Sequence, residues 1–196
     1  MPKKIASGKR RDQLPKRPAH KPIDLGPQLL MEAEHVLKAQ HLARILACLE
    51  RLSEEDLWWR PNASSNSAGN LVLHLAGNVR QWIVSGLGGE PDIRNRDREF
   101  AEQGPIPRRI LGALLKKEVK AACRILDTLT TDDLVKFYSI QKFNIQGFIA
   151  VSHVVEHFAF HSGQIIYLTK LRLGEDLGFT RLPGEKKRKA QNLPAV

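Results

Sequence analysis

Apolar residues recur at helical spacing in four stretches of the chain, separated by segments rich in Gly, Pro and charge. The first stretch runs from about Pro27 to Leu52, with its clearest stripe at Leu42, Ile45, Leu46, Leu49 and Leu52. The second follows Ser67, a residue type that caps helix N-termini, and continues as "AGNLVLHLAGNVRQWIVSG" to the region of Gly86. The third follows Pro107 and shows Leu111, Leu114, Leu115, Ala122, Ile125, Leu126 and Leu129 on one face. The fourth is predicted to begin near Asn144, another N-cap residue type, and to end at Leu173, with Gly174 as its stop. This fourth segment is apolar nearly all round, which predicts a helix buried on every side.

The connections sharpen the architecture. "LGGEPDIRNRDREFAEQGPIP" is too long for a tight turn and predicts a crossover between helices that are not antiparallel neighbours. "LERLSEEDLWWR" closes the first helix and "LDTLTTDDLVKF" closes the third, a faint internal echo. Together these features predict an all-α fold, a four-helix bundle with a long crossover between helices two and three.

Composition changes this picture little. With 196 residues, 42% of them hydrophobic, the chain suits one soluble domain. No run reaches the roughly 18–20 apolar residues that span a bilayer, so no transmembrane segment is expected. "MPKKIASGKRRDQLPKRPAHKP" lacks the apolar segment of a secretory signal, and Cys48 and Cys123 lack metal or redox spacing. The expected location is the cytoplasm.

The net charge of +10 matters more for where it lies. Residues 1–24 carry eight Lys/Arg against two Asp, and residues 181–196 carry five against one Glu, which accounts for the whole excess. The chain therefore divides into a basic N-terminal arm at 1–24, a neutral bundle at 25–180 and a basic tail at 181–196. The arms are expected to be disordered and to aid solubility. They can also touch nucleic acid or anionic lipid without sequence preference.

The chemistry lies in "HVVEHFAFHSGQI", which places His153, His157 and His161 four residues apart within an apolar helix. A buried polar group without a partner costs about 1–3 kcal/mol, so these imidazoles need hydrogen bonds or a metal. Residues four apart stand about 6 Å apart along the helix and can share one ion. Residues eight apart stand about 12 Å apart and cannot. The pair is therefore either His153/His157 or His157/His161. His74 sits mid-helix among Leu71, Val72, Leu73 and Leu75, and is the candidate third ligand. Three protein ligands leave a coordination position open, the pattern of catalytic rather than structural sites.

Neighbouring residues extend the site. Asn78 is one turn beyond His74, and Gln164 lies seven residues past His157; either amide can orient a ligand, hold a substrate or bond between helices. His35 and His41 lie on or near the first helix stripe, where an exposed or satisfied histidine is the simpler reading. Glu156 points away from His157. Gly163 is expected to admit a neighbouring backbone. Trp58, Trp59 and Trp82 read as packing residues. No carboxylate near the histidines is evident as a second catalytic group.

"SSNSAGNLVLHLAGNVRQWI", followed far downstream by "HVVEHFAFHSGQIIYL", resembles the DinB/YfiT-like superfamily over about residues 27–173. The shared features are Ser65, Ser67, His74 and Leu75, then His157, His161, Gly163, Gln164 and Ile165. The resemblance implies a four-helix bundle holding one divalent metal, zinc or nickel, on His74, His157 and His161. His153 then becomes a neighbour, grouped with Asn78 and Gln164 as a substrate pocket. The superfamily includes transferases and isomerases that use low-molecular-weight thiols. A metal-dependent enzyme activating a thiol or water is therefore expected, with a small-molecule substrate, a low-molecular-weight thiol cosubstrate and a homodimer as its partners. The contrasting reading is a non-catalytic, metal-stabilised, stress-associated binding module, sealed by a fourth ligand such as His35 or His153.

Overall fold

The computed structural model of the chain describes residues 23–180, and the two basic arms lie almost wholly outside them. Helix α1 runs through three contiguous segments, α-helical Gly26–His35, π-helical Val36–Leu42 and α-helical Ala43–Arg51. The short α2 (Glu54–Trp58) follows. Helix α3 comprises α-helical Ala68–Val79 and π-helical Arg80–Leu87. Short α4 (Arg96–Ala101) lies within the crossover, followed by long α5 (Arg108–Leu126) and short α6 (Thr131–Val135). Strands β1 (Phe137–Ile140) and β2 (Phe143–Gln146) precede α7 (Gly147–Leu173).

The long helices α1, α3, α5 and α7 form the bundle, with α1 and α3 each packing against α5 and α7. The predicted stripes make the core: Ile45, Leu49 and Leu52 from α1, Leu111, Leu115 and Leu126 from α5, and Val151, Val154, Phe158 and Ile165 from α7 are all buried. Ser67 caps α3 as expected, accepting from Asn70 N at 3.1 Å. Gly174 ends α7 in the left-handed conformation, φ 64°. The echo in sequence is capping chemistry. Ser53 accepts from Asp56 N to start α2, and Thr130 accepts from Asp133 N to start α6. The crossover does not run free, since α4 lies back on α3. No helix among the described residues is long and apolar enough to cross a membrane.

Three expectations are corrected. Asn144 does not cap the fourth helix; it lies in β2, paired with Ser139 in an antiparallel hairpin whose register runs from Phe137↔Gln146 to Ile140↔Phe143. The helix starts only at Gly147, whose amide donates to Lys136 O at 3.0 Å and whose missing Cβ leaves room for Asp133 O. Second, α7 is not buried all round: Phe160 and Tyr167 are each 64% exposed, because its neighbours cover the opposite side. Third, no neighbouring backbone approaches Gly163; a Cβ there would meet nothing within 4 Å.

Candidate metal centre

His74 projects from α3, and His157 and His161 from α7. The three rings converge between the helices. Ring centroids lie 4.9 Å apart for His74 and His157, 5.0 Å for His74 and His161, and 4.5 Å for His157 and His161. One ring nitrogen from each lies within 4.8 Å of the others. Three imidazole nitrogens at about 2.0–2.1 Å from one ion would stand roughly 3.3 Å apart in tetrahedral geometry, so only small ring movements separate this arrangement from a ligand set. Among the described residues, no fourth His, Cys, Asp or Glu belongs to the group.

Hydrogen bonds turn the rings. His74 Nδ1 lies 2.9 Å from Glu99 Oε2, a bond in which the ring N–H donates to the carboxylate. His161 Nδ1 lies 2.6 Å from Gln164 Oε1, again with the ring as donor. With Nδ1 as the donor in each bond, Nε2 carries the free lone pair; Arg94, itself bound to the same carboxylate, also stands 3.0 Å from His74 Nδ1. His74 Nε2 sits 2.8 Å from His157 Nε2, both directed into the same space.

Burial disfavours charge on the α7 histidines. Burial, then the adjoining His161 and His74 charges, push His157 down to about 3. Burial also lowers His161 and His153. These imidazoles are therefore unprotonated near neutral pH, the state that coordinates metal. Glu99 is lowered despite burial, which alone would raise it, because bonds from Arg94 and His74 outweigh desolvation.

Glu99 and Arg94 are the functional residues that the sequence reading missed. Arg94 donates from Nε to Glu99 Oε1 at 2.7 Å and from a terminal nitrogen to Oε2 at 2.8 Å. The arginine side chain is only 4% exposed. Both residues come from the charged crossover, and Asn70 holds that crossover in place. Its Nδ2 donates to Glu99 O (3.0 Å) and Glu102 O (2.7 Å), one helical turn before His74. Arg60 adds a bond to Phe100 O at 3.1 Å, and the Phe100 ring covers His74 at 4.5 Å. The signal in sequence was Asn70 itself, a polar residue on an apolar helix face that needs partners from elsewhere.

His153 stands beside the cluster, stacked 5.3 Å from His157. Its Nε2 lies 3.3 Å from Asn78 Nδ2, and its ring lies 3.9 Å from that of Trp82. His74, Asn78, Trp82, His153 and His157 line a cavity of about 370 Å³. Trp82 is thus both a buried packing residue and part of the cavity wall, whereas Gln164 bonds to His161 and does not line that cavity. His35 is exposed. His41 is half-buried 6.4 Å from Phe158, its pKa lowered by burial and then by Arg44.

Comparisons with known proteins agree with this architecture. A DinB-like protein from Bacillus cereus ATCC 10987 superposes with a TM-score of 0.56 at 17% identity, over 68% of this chain and 87% of that one. A DinB-like protein from Bacillus subtilis gives 0.55 at 20% identity, over 83% and 99%. A conserved protein from Enterococcus faecalis gives 0.58 at 16% identity, over 77% and 96%. No curated protein matches by sequence. The family described as "protein of unknown function (DUF1572)" matches residues 24–185, a span holding the whole bundle and the histidine cluster. The chain therefore belongs to the DUF1572 family and has the fold of the DinB/YfiT-like superfamily.

Proposed function

We propose that the protein holds one divalent metal ion, zinc or nickel, on His74, His157 and His161, and that it is a metal-dependent enzyme acting on a thiol or on water. The observation that carries this reading is the convergence of three imidazoles whose ring nitrogens lie within 4.8 Å of one another. The donor set fits such an ion. It is all nitrogen, and the rings of His74 and His161 are turned by Glu99 and Gln164 so that Nε2 is available. A divalent ion bound there lowers the pKa of a thiol or water, so that a nucleophile exists near neutral pH.

The chain's own residues do the rest. Glu99 holds His74 in one tautomer, and the buried Arg94 holds Glu99. Trp82, Asn78 and His153 shape the cavity against the cluster. A cavity lined by two of the three ligands, His74 and His157, favours the enzyme over a sealed, metal-stabilised module, and neither His35 nor His153 completes the set. A transferase using a low-molecular-weight thiol is the specific form of this proposal.

The test is metal analysis of the purified full chain and of two variants. One equivalent of zinc or nickel is expected in the wild type and in His153→Ala, and none in His161→Ala. Both changes remove similar volume from α7, and Ala sustains the helix, so packing effects are matched. Metal retained by His161→Ala and lost from His153→Ala would assign the pair to His153/His157 and overturn the proposed ligand set.

A further inference from the structure

The cavity at the histidines does not end there. A second space of about 550 Å³ is lined by Gln81, Arg94, Arg96, Gln141, Lys142 and Phe143. Four of these residues, Arg94, Arg96, Gln141 and Phe143, also line the cavity that reaches His74 and His157. The two spaces adjoin across these shared walls as a trench in two parts, with the imidazoles lining one part and Lys142 of the hairpin tip lining the other, its mouth.

The walls have a definite chemistry. No Asp or Glu lines either part of the trench. Arg94 is neutralised by Glu99, but Arg96 and Lys142 have no carboxylate partner among the described residues. The Arg96 guanidinium instead lies over the Phe100 ring, 4.9 Å from its centroid. Because residues 25–180 carry no net charge, this is a local cationic mouth and not a share of a basic surface. The part that holds the histidines also has an apolar lining, with Trp82 and Phe143 at 6.2 Å between ring centroids and with Ile145 and Ile149.

The mouth is also held in shape. Gln141 adopts a positive φ of 55° at the hairpin tip, a conformation uncommon for a residue with a side chain. Its amide donates to Gln81 Oε1, which also accepts from Arg94 at 2.9 Å. The tip is thereby tied to the same arginine that holds Glu99.

We propose that the trench binds a small anionic molecule, with a carboxylate or phosphate on Arg96 and Lys142 and an apolar segment against Trp82, Phe143 and Ile149. Its other end reaches the histidines. This assignment rests on reading the cluster as the reacting end of the site, and it supplies the substrate class that reading lacks. Arg96 and Lys142 are the specificity-determining residues, and the hairpin β1–β2 is the element that carries one of them.

The experiment compares 3-mercaptopropionate with its neutral amide, 3-mercaptopropionamide, by NMR titration of the metal-loaded full chain. Wild type is expected to bind the acid about tenfold more tightly than the amide, the effect of one charge-assisted hydrogen bond, and less so at high salt. Arg96→Ala/Lys142→Ala is expected to lose this preference while keeping its metal and its affinity for the amide; both side chains are exposed, so the fold is not at risk. His161→Ala is expected to keep the preference without metal. Equal binding of acid and amide by wild type, or a preference surviving the double variant, overturns the anionic mouth. A preference that vanishes in His161→Ala places the carboxylate on the ion and overturns it as well. A wild type that holds no metal yet prefers the acid refutes the metal reading alone.

Discussion

Glu99→Gln separates the orienting role of the crossover from its structural role. The change keeps size and one acceptor oxygen but removes the charge. At His74 it replaces a charge-assisted bond of 2.9 Å by a neutral one of about half the strength. Loss of such an outer partner typically weakens metal binding about 10- to 100-fold, or about 1.4–2.8 kcal/mol. At Arg94 it leaves a guanidinium only 4% exposed without its carboxylate. Breaking a buried pair costs about 3–5 kcal/mol. The lower end is expected here, because Gln81 Oε1 still accepts from Arg94 at 2.9 Å and the new amide oxygen can take another bond. Zinc affinity would be measured by competition with a chromogenic chelator, and stability by urea unfolding of the metal-free protein. Both should fall. If stability falls while zinc affinity stays within about twofold of wild type, Glu99 merely anchors the crossover, and the proposed orientation of His74 is refuted.

Gly77→Ala should reproduce the metal defect through Glu99 and Arg94, the groups its added Cβ would meet. The new Cβ would collide with Glu99 Oε1 and lie 2.9 Å from Arg94 Nε, so the carboxylate must leave its place. Undiminished zinc affinity in this variant would show that Glu99 can move without consequence, and combining it with Glu99→Gln should add little. Acidification should destabilise the metal-free protein between about pH 6.5, where histidine titrates in the unfolded chain, and about 3, where His157 titrates in the folded one. Across that window the unfolded state binds the extra proton, so stability drops as pH falls; urea midpoints should show a shallower pH slope in His157→Gln than in wild type. Removing residues 1–22 and 181–196 should leave metal content unchanged. Extending the N-terminal deletion through Asp24 should lower the melting temperature, because its Oδ1 accepts from Gly26 N at 2.9 Å and Thr131 Oγ1 at 2.6 Å.

The long helices were legible because burial on one face writes a period into the sequence, as at Ile45, Leu49 and Leu52 or Leu111, Leu115 and Leu126. The histidine cluster was partly legible for the same reason: His74 and His157 interrupt apolar faces, and an interruption on such a face needs a partner. Spacing alone left His153 and His161 as equals, since both lie four residues from His157. The hairpin escaped notice because its turn, Gln141 and Lys142, contains none of the Gly, Asn or Asp residues that mark tight turns. Aromatic residues on α7 misled in the other direction. Phe160 and Tyr167 signal burial by composition, yet only contact geometry decides which side of a helix is covered.

Glu99 and Arg94 were hidden for a deeper reason. In "PDIRNRDREFAEQG" they look like any charges of a solvated loop, because nothing in a local pattern distinguishes a charge paired in the interior from one facing water. Their meaning depends on Asn70, some thirty residues earlier, which draws the backbone of Glu99 and Glu102 onto α3. The length of the crossover follows from that demand. A short link between α3 and α5 could join the helices, but it could not return to α3 and set a carboxylate against His74. The same segment supplies Arg96 to the trench mouth, so one loop orients a proposed ligand and presents a cation beside it. Changes that shift the crossover backbone, such as at Asn70, should therefore alter metal affinity and anion preference together, whereas loss of the Arg96 or Lys142 side chain alone should alter only anion preference.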